Sequence, residues 1–218
     1  MPIDVPKDTW PGEVRSVTLG ASADQGGSRV RAVTVGGEKT LPFMHFEAEM
    51  PNAPVIAVEI KDRRPDDWSP LLLEAWGEAA DDPAAWAKAA QDTGCDLIQL
   101  SFSLTDASGE TTTAESAVST VKAVLQASGL PLLVFGPGQA ELDNELLVAV
   151  AEATKGERLV LGLCEDKNYR TIVATAMAND HLVVARSPMD VNLAKQLNIL
   201  ISDMDFPLER VLMDPTTG

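Results

Sequence analysis

The side chains able to do chemistry lie in small groups, each following an apolar run. Glu59, Lys61 and Asp62 form the first group, and Ser101 and Ser103 the second. Gly136-Pro137-Gly138 marks a third. Cys164, Glu165, Asp166 and Asn168 come next, then Arg186-Ser187-Pro188, and last Asp214, Thr216 and Thr217. Glu59 and Asp214 are carboxylates of the kind a two-acid hydrolase uses, although sequence does not set their separation. Lys61 is the lysine placed for Schiff-base chemistry, but its acidic neighbours Glu59 and Asp62 work against a nucleophilic amine. Cys164 could act as a nucleophile, yet neither His45 nor His181 is near it in sequence, and a strand end can bury it as a small hydrophobe. Plainer readings stand beside each of these. Glu59 and Lys61 fit a solvated pair, Gly136-Pro137-Gly138 a turn, Asp190 with Asn192 a helix cap, and Asp214 before Pro215 a strand end. No catalytic constellation emerges from the residues alone.

The elements that must position these groups follow a repeating rhythm. Residues 14–19 and 29–35 alternate in the period-two manner of strands around a Gly/Ser-rich turn, which predicts a β-hairpin. Residues 38–54 read as an irregular connector. From residue 55 onward, apolar runs alternate with helical patterns. The strands are expected at Val55–Ile60, Asp96–Phe102, Leu132–Phe135, Leu159–Leu163, Leu182–Ala185 and Val211–Met213. Ser69-Pro70 is expected to start a short helix, and Asp82-Pro83 a second, with Asp82 as N-cap and Pro83 at the first helical position. Thr112 with Glu115 has capping-box spacing, and Asp143 and Asp190 are expected to cap two later helices.

Strand–helix alternation of this kind implies a parallel sheet. The first strand is followed by Lys61-Asp62-Arg63-Arg64 rather than a Gly-rich dinucleotide turn, which weakens a Rossmann reading. The expected fold class is therefore α/β, a (β/α)8 TIM-barrel type with about six of eight strands and an N-terminal β-hairpin. Residues 1–54 form the hairpin and connector, and residues 55–218 the partial barrel. In such folds the working groups sit at the C-terminal ends of the strands.

Composition narrows the function classes. The 218 residues carry a formal net charge of −16, with 45% apolar and 23% charged residues. Nucleic acid and anionic membranes are poor partners for such a chain, because both are bound through clustered Lys and Arg. Two cysteines and two histidines, with no CxxC, offer no familiar spacing for an iron–sulfur cluster or a structural zinc. The scarcity of cysteine and the absence of a signal-like N-terminus lead to the expectation of a cytoplasmic protein.

Five stretches together resemble one family. They are Leu41-Pro42-Phe43-Met44-His45-Phe46-Glu47, Asp82-Pro83-Ala84-Ala85-Trp86-Ala87-Lys88, Asp166-Lys167-Asn168-Tyr169, the run from Ser187 to Asn198, and Met213-Asp214-Pro215-Thr216-Thr217-Gly218. The family is the small, or delta, subunit of the corrinoid iron–sulfur protein of acetyl-CoA decarbonylase/synthase systems. The resemblance implies a TIM barrel related to pterin-binding methyltransferases. It implies a heterodimer with a large subunit that holds both the corrinoid and the iron–sulfur cluster, none being held by this chain. A methyltransferase and acetyl-CoA synthase would be transient partners, and methyl would pass from a methyltetrahydrofolate or methyltetrahydropterin through cobalt to acetyl-CoA synthase. The chain would then be a component of a methyl-transferring complex rather than a catalyst by itself. Its strand-end face would cover the partner's corrinoid, with Asp214, Thr216, Thr217, Ser187 and Asn192 as the cofactor-facing residues and no catalytic or metal-ligating residue. The alternative is a stand-alone pterin-dependent methyltransferase on the same barrel. The family continues beyond the Asp-Pro-Thr-Thr-Gly run, so a C-terminally truncated form is expected.

Overall fold

The computed structural model describes residues 4–105 and 108–216. An antiparallel pair, β1 (Val17–Leu19) and β2 (Val33–Val35), precedes a six-stranded parallel sheet. The sheet strands are β3 (Ala57–Lys61), β4 (Leu97–Ser101), β5 (Leu132–Phe135), β6 (Val160–Cys164), β7 (Leu182–Arg186) and β8 (Val211–Asp214), paired in chain order. Helices α1 (Pro70–Trp76) and α2 (Pro83–Asp92) join β3 to β4. Each later crossover has one α-helix: α3 (Ala114–Ala127), α4 (Ala140–Ala153), α5 (Tyr169–Asn179) and α6 (Val191–Ser202).

Two apolar clusters show how the sheet is wound. On one face, Ile60, Leu100, Val134, Leu161 and Val183 pack against Trp86 of α2, Val121 of α3, Leu147 of α4, Ile172 of α5 and Ile201 of α6. On the other face, Leu97, Leu133, Val160, Leu182 and Val184 pack against Val17 and Leu19 of the hairpin, with no helix among the described residues of that cluster. Strictly sequential strand order with helices α2–α6 on one face is the winding of a (β/α)-barrel, not of a doubly wound sheet. The hairpin covers the inner face near the N-terminal ends of the strands.

Arg29 fixes that cover in place. Its buried guanidinium donates to the carbonyls of Leu125, Ser128 and Leu130, to Ser28 Oγ, and to Glu157 at 3.3 Å. The backbone adds Gly20 N–H to the Arg158 carbonyl and Val30 N–H to the Gly129 carbonyl. These bonds account for β2 starting at Val33 rather than at Arg29. The Arg29 side chain and the Val30 N–H are held by the segment before β5 rather than by β1.

Local caps depart from the sequence reading in two places. Thr113 and Ser116 form the box at α3, because Thr112 is buried and donates its hydroxyl to the Ser103 carbonyl. Helix α4 starts at Ala140, so Asp143 lies within its first turn rather than capping it. The Asp82 and Asp190 caps are present, each carboxylate accepting two backbone N–H groups. Strand β6 begins and ends one residue later than the apolar run implies, bringing Cys164 into the strand.

Candidate functional site on the strand ends

Side-chain alternation decides which groups face the barrel interior. Ile60, Leu100 and Ala185 belong to the helix-facing cluster, so Glu59, Lys61, Gln99, Ser101 and Arg186 point inward. Leu212 packs with the inner cluster, which puts Asp214 inward as well. Register lines these residues up: Glu59 opposite Gln99, Lys61 opposite Ser101, and Arg186 opposite Asp214. A polar layer therefore lies above an apolar base on the inner face.

At the β3 side, Lys61 Nζ is 3.2 Å from Glu59 Oε1, and Gln99 Nε2 donates to Ser101 Oγ at 3.1 Å. Asp62 accepts the Ser103 N–H at 2.9 Å, while burial pushes its carboxyl above the ordinary carboxylate range. At the β8 side, Arg186 donates from Nε to Thr216 Oγ1 at 3.3 Å and pairs with Glu165 at 3.5 Å. Asp214 Oδ1 accepts from the Thr216 N–H at 2.8 Å and from its hydroxyl at 3.3 Å. Thr216 holds a left-handed backbone, φ 47°, with these two bonds to Asp214 closing the turn. Donors and acceptors thus stand side by side at the end of the last strand.

The five residues singled out from sequence occupy different settings. Asp214 and Thr216 join Arg186 in one hydrogen-bonded group. Ser187 is buried, and its backbone N–H donates to the Asp214 carbonyl at 2.9 Å. Asn192 is exposed in the first turn of α6, its N–H held by Asp190. Thr217 lies outside the described residues. Sequence reasoning misses Gln99 and gives Arg186 no role of its own, although each leaves a signal. Gln99 interrupts the apolar run Leu97-Ile98-Gln99-Leu100, and Arg186 continues the inward spacing of Leu182 and Val184.

Other candidates are committed to structure. Cys164 packs on the helix-facing side, and burial, with Glu165 beside it, pushes its thiol up to about 12. A thiolate there is suppressed at neutral pH. Asn168 is buried and staples its own loop, accepting from Glu165 N–H at 2.7 Å and donating to the Leu163 carbonyl. Gly136 lies where a Cβ would meet Asp143 Oδ1, and Asp143 accepts the Gly138 N–H at 2.9 Å. The Gly-Pro-Gly run is thus a turn built against a carboxylate. Among the described residues no group of three or more His, Cys, Asp or Glu side chains could hold a metal ion. No helix there is long and apolar enough to cross a membrane.

A singly wound parallel sheet with a polar layer at its strand ends defines a protein of TIM-barrel type. Among solved structures, a dihydropteroate synthase of Xanthomonas albilineans superposes with a TM-score of 0.50 at 16% identity, covering 76% of this chain and 62% of that one. Residues 16–218 match the family model described as CO dehydrogenase/acetyl-CoA synthase delta subunit, and the chain belongs to that family. Relatives named acetyl-CoA decarbonylase/synthase complex subunit delta include one from Archaeoglobus fulgidus, 37% identical over 97% of this chain and 47% of that protein. A subunit delta 1 from Methanosarcina thermophila is 36% identical over 96% of this chain and 48% of its own length. The Methanopyrus kandleri subunit is 35% identical, with 94% and 52% covered. This chain spans about half the length of these relatives.

Proposed function

We propose that this chain is the barrel part of a delta subunit in a corrinoid iron–sulfur methyl carrier, acting in the cytoplasm. Its partner is a large subunit that holds the corrinoid and the iron–sulfur cluster, and the strand-end face covers the corrin. The observation that carries this reading is the family match over residues 16–218. The relatives' names speak of subunits of a complex, which supports a reading in which the chemistry is shared between chains.

The strand-end groups fit this role. A corrin ring bears carboxamide arms that need both donors and acceptors. Arg186 supplies N–H donors and Asp214 an acceptor carboxylate, and Thr216 bridges the two. When bound by the partner, the corrinoid supplies the cobalt that accepts and gives up methyl. This chain's residues orient the ring edge and keep water from it. The reading asks no covalent chemistry of this chain: Lys61 is paired to Glu59, and Cys164 is buried on the helix-facing side, away from the polar layer.

The test is methyl transfer by the purified chain without a partner. With methyltetrahydrofolate and free cobalamin, no methylcobalamin should form above the rate without protein. Rapid formation would instead favour a stand-alone pterin-dependent methyltransferase.

A further inference from the structure

Among the described residues, five that are not glycine hold a left-handed backbone: Arg158, Asp180, Met189, Asp205 and Thr216. That conformation crowds Cβ against the following carbonyl, and aspartate bears it better than most residues. Two of the five are aspartates. Asp180 closes α5, and Asp205 lies in the turn after α6. The Arg158 carbonyl accepts the Gly20 N–H of the hairpin, which pins that backbone to the base of the sheet. Met189 and Thr216 remain, and they belong together. Ser187 N–H donates to the Asp214 carbonyl at 2.9 Å, and Met189 N–H to the Pro215 carbonyl at 2.8 Å. These two bonds carry the β7–β8 pairing past the strand ends. The φ of 49° at Met189 and of 47° at Thr216 therefore fall on two loops zipped to each other, next to Arg186 and Asp214.

The Met189 side chain does little for the fold that holds it. It is 82% exposed, and Val191, two residues on, is 66% exposed. The bonds that fix the loop use backbone atoms: Met189 N–H to Pro215, and Asp190 N–H to the Ser187 carbonyl. A glycine would make them equally well. A long thioether thus stands in the open, at a backbone cost, on the loop that extends β7 beyond Arg186. Strain held in this way by surrounding bonds collects where a side chain is presented to a ligand.

We infer that Met189 is an apolar contact to the rim of the corrinoid held by the partner subunit, placed beside the polar group of Arg186, Thr216 and Asp214. The inference rests on the methyl-carrier reading and adds a residue to it. A corrin rim carries methyl groups between its carboxamide arms. The polar group meets the arms, and an unbranched, polarizable thioether conforms to the methyl-bearing rim between them. The zipped loops fix where that contact falls. Met189 contributes contact and shape, and no bond forms or breaks at its sulfur.

The experiment compares Met189→Asn and Met189→Leu with the parent chain. Asparagine tolerates the left-handed backbone and removes the apolar side chain, whereas leucine keeps the apolar volume. Calorimetry first reads the melting temperature of each chain alone. Met189→Asn should melt about 2–4 °C higher, the shift that relief of backbone strain gives in a chain of this size. An equal or lower melting temperature would mean that the side chain supports the fold, and would overturn the inference.

Docking to a candidate large subunit is read next by titration calorimetry, with that subunit free of corrinoid and then loaded with hydroxocobalamin. Met189→Asn should weaken docking to the loaded subunit about tenfold and leave docking to the corrinoid-free subunit unchanged. Met189→Leu should stay within about twofold of the parent chain in both arms. Equal losses in both arms would assign Met189 to a protein contact, and no loss in either would leave it without a contact. Both results overturn the inference while the methyl-carrier reading stands. If the parent chain docks no better to the loaded subunit than to the corrinoid-free one, that reading fails first and the inference falls with it.

Discussion

Arg186 and Asp214 sit opposite each other on the last two parallel strands, and Thr216 is hydrogen-bonded to both. Exchanging the Thr216 hydroxyl for a methyl separates the proposed recognition from folding. Thr216→Val keeps the shape but loses the hydroxyl that accepts from Arg186 and donates to Asp214. The melting temperature should move by no more than a few degrees, since the group is only partly buried. Methyl transfer in the assembled complex should fall roughly fivefold, the worth of about 1 kcal/mol of hydrogen bonding. Combined with Thr217→Val the loss should be at least as large. Unchanged transfer rates would contradict the proposal that these residues face the corrin.

Arg29 makes a stability prediction. All its side-chain donors are used, and it is 3% exposed. Arg29→Ala leaves Glu157 without its ion-pair partner and three carbonyls without a side-chain donor. Breaking one side of a buried pair costs about 3–5 kcal/mol, which for a chain of this size lowers the melting temperature by about 10 °C. Differential scanning calorimetry checks this. Arg29→Lys should recover only part of the loss, because an ammonium cannot span the same set of acceptors.

His181 sets a pH dependence. Its Nδ1 accepts the Leu159 N–H at 3.1 Å, and its Nε2–H donates to the Ala151 carbonyl at 2.9 Å, which fixes a neutral ring between α4, β6 and α5. Burial holds its pKa below the ordinary value of 6.5, against the pull of Asp180 and Glu157 and with that of Arg210. The unfolded chain therefore takes up the proton first. Stability is fully present above pH 6.5 and declines as pH falls below it, with a slope of at most about 1.4 kcal/mol per pH unit. Asp62 and Asp143 act with the opposite sign, since burial raises both. Their contribution is present below 3.8 and is lost as pH rises through the raised values. Urea midpoints at pH 7.5, 6.5 and 5.5 check the His181 window, and a His181→Gln variant should flatten it.

Gly162 lies where a Cβ would come within 2.6 Å of Phe135 Cε1 on the neighbouring strand. Gly162→Ala should overpack the inner face and destabilise the fold by about 1–3 kcal/mol, read as a lower urea midpoint. Phe135→Leu in the same chain should restore part of that loss, because a smaller side chain vacates the contact.

Much of the architecture is legible because apolar spacing reports burial directly. Leu132 to Phe135 and Leu182 to Ala185 read as strands because helices cover one face and the hairpin the other. Strand β3 is less apolar than these, yet it forms, because Val58 and Ile60 suffice for an edge strand covered on its helix side. Periodicity overestimates the hairpin at Arg29 and Val30, where the chain is held by segments distant in sequence. Spacing misplaces the caps at Thr112 and Asp143, because both side chains are claimed by contacts that a capping pattern does not encode. Of the site, Asp214 and Thr216 can be found from their place after a strand. Arg186 gains its meaning only when β7 and β8 are set in register.

The most direct test of the functional account is co-expression with a candidate large subunit, followed by size-exclusion chromatography, metal analysis and an absorbance spectrum. The account predicts one co-eluting species containing cobalt and iron with a corrinoid spectrum, and neither metal on this chain purified by itself. Separate elution of the two chains, or cobalt and iron bound to this chain without the partner, would contradict it.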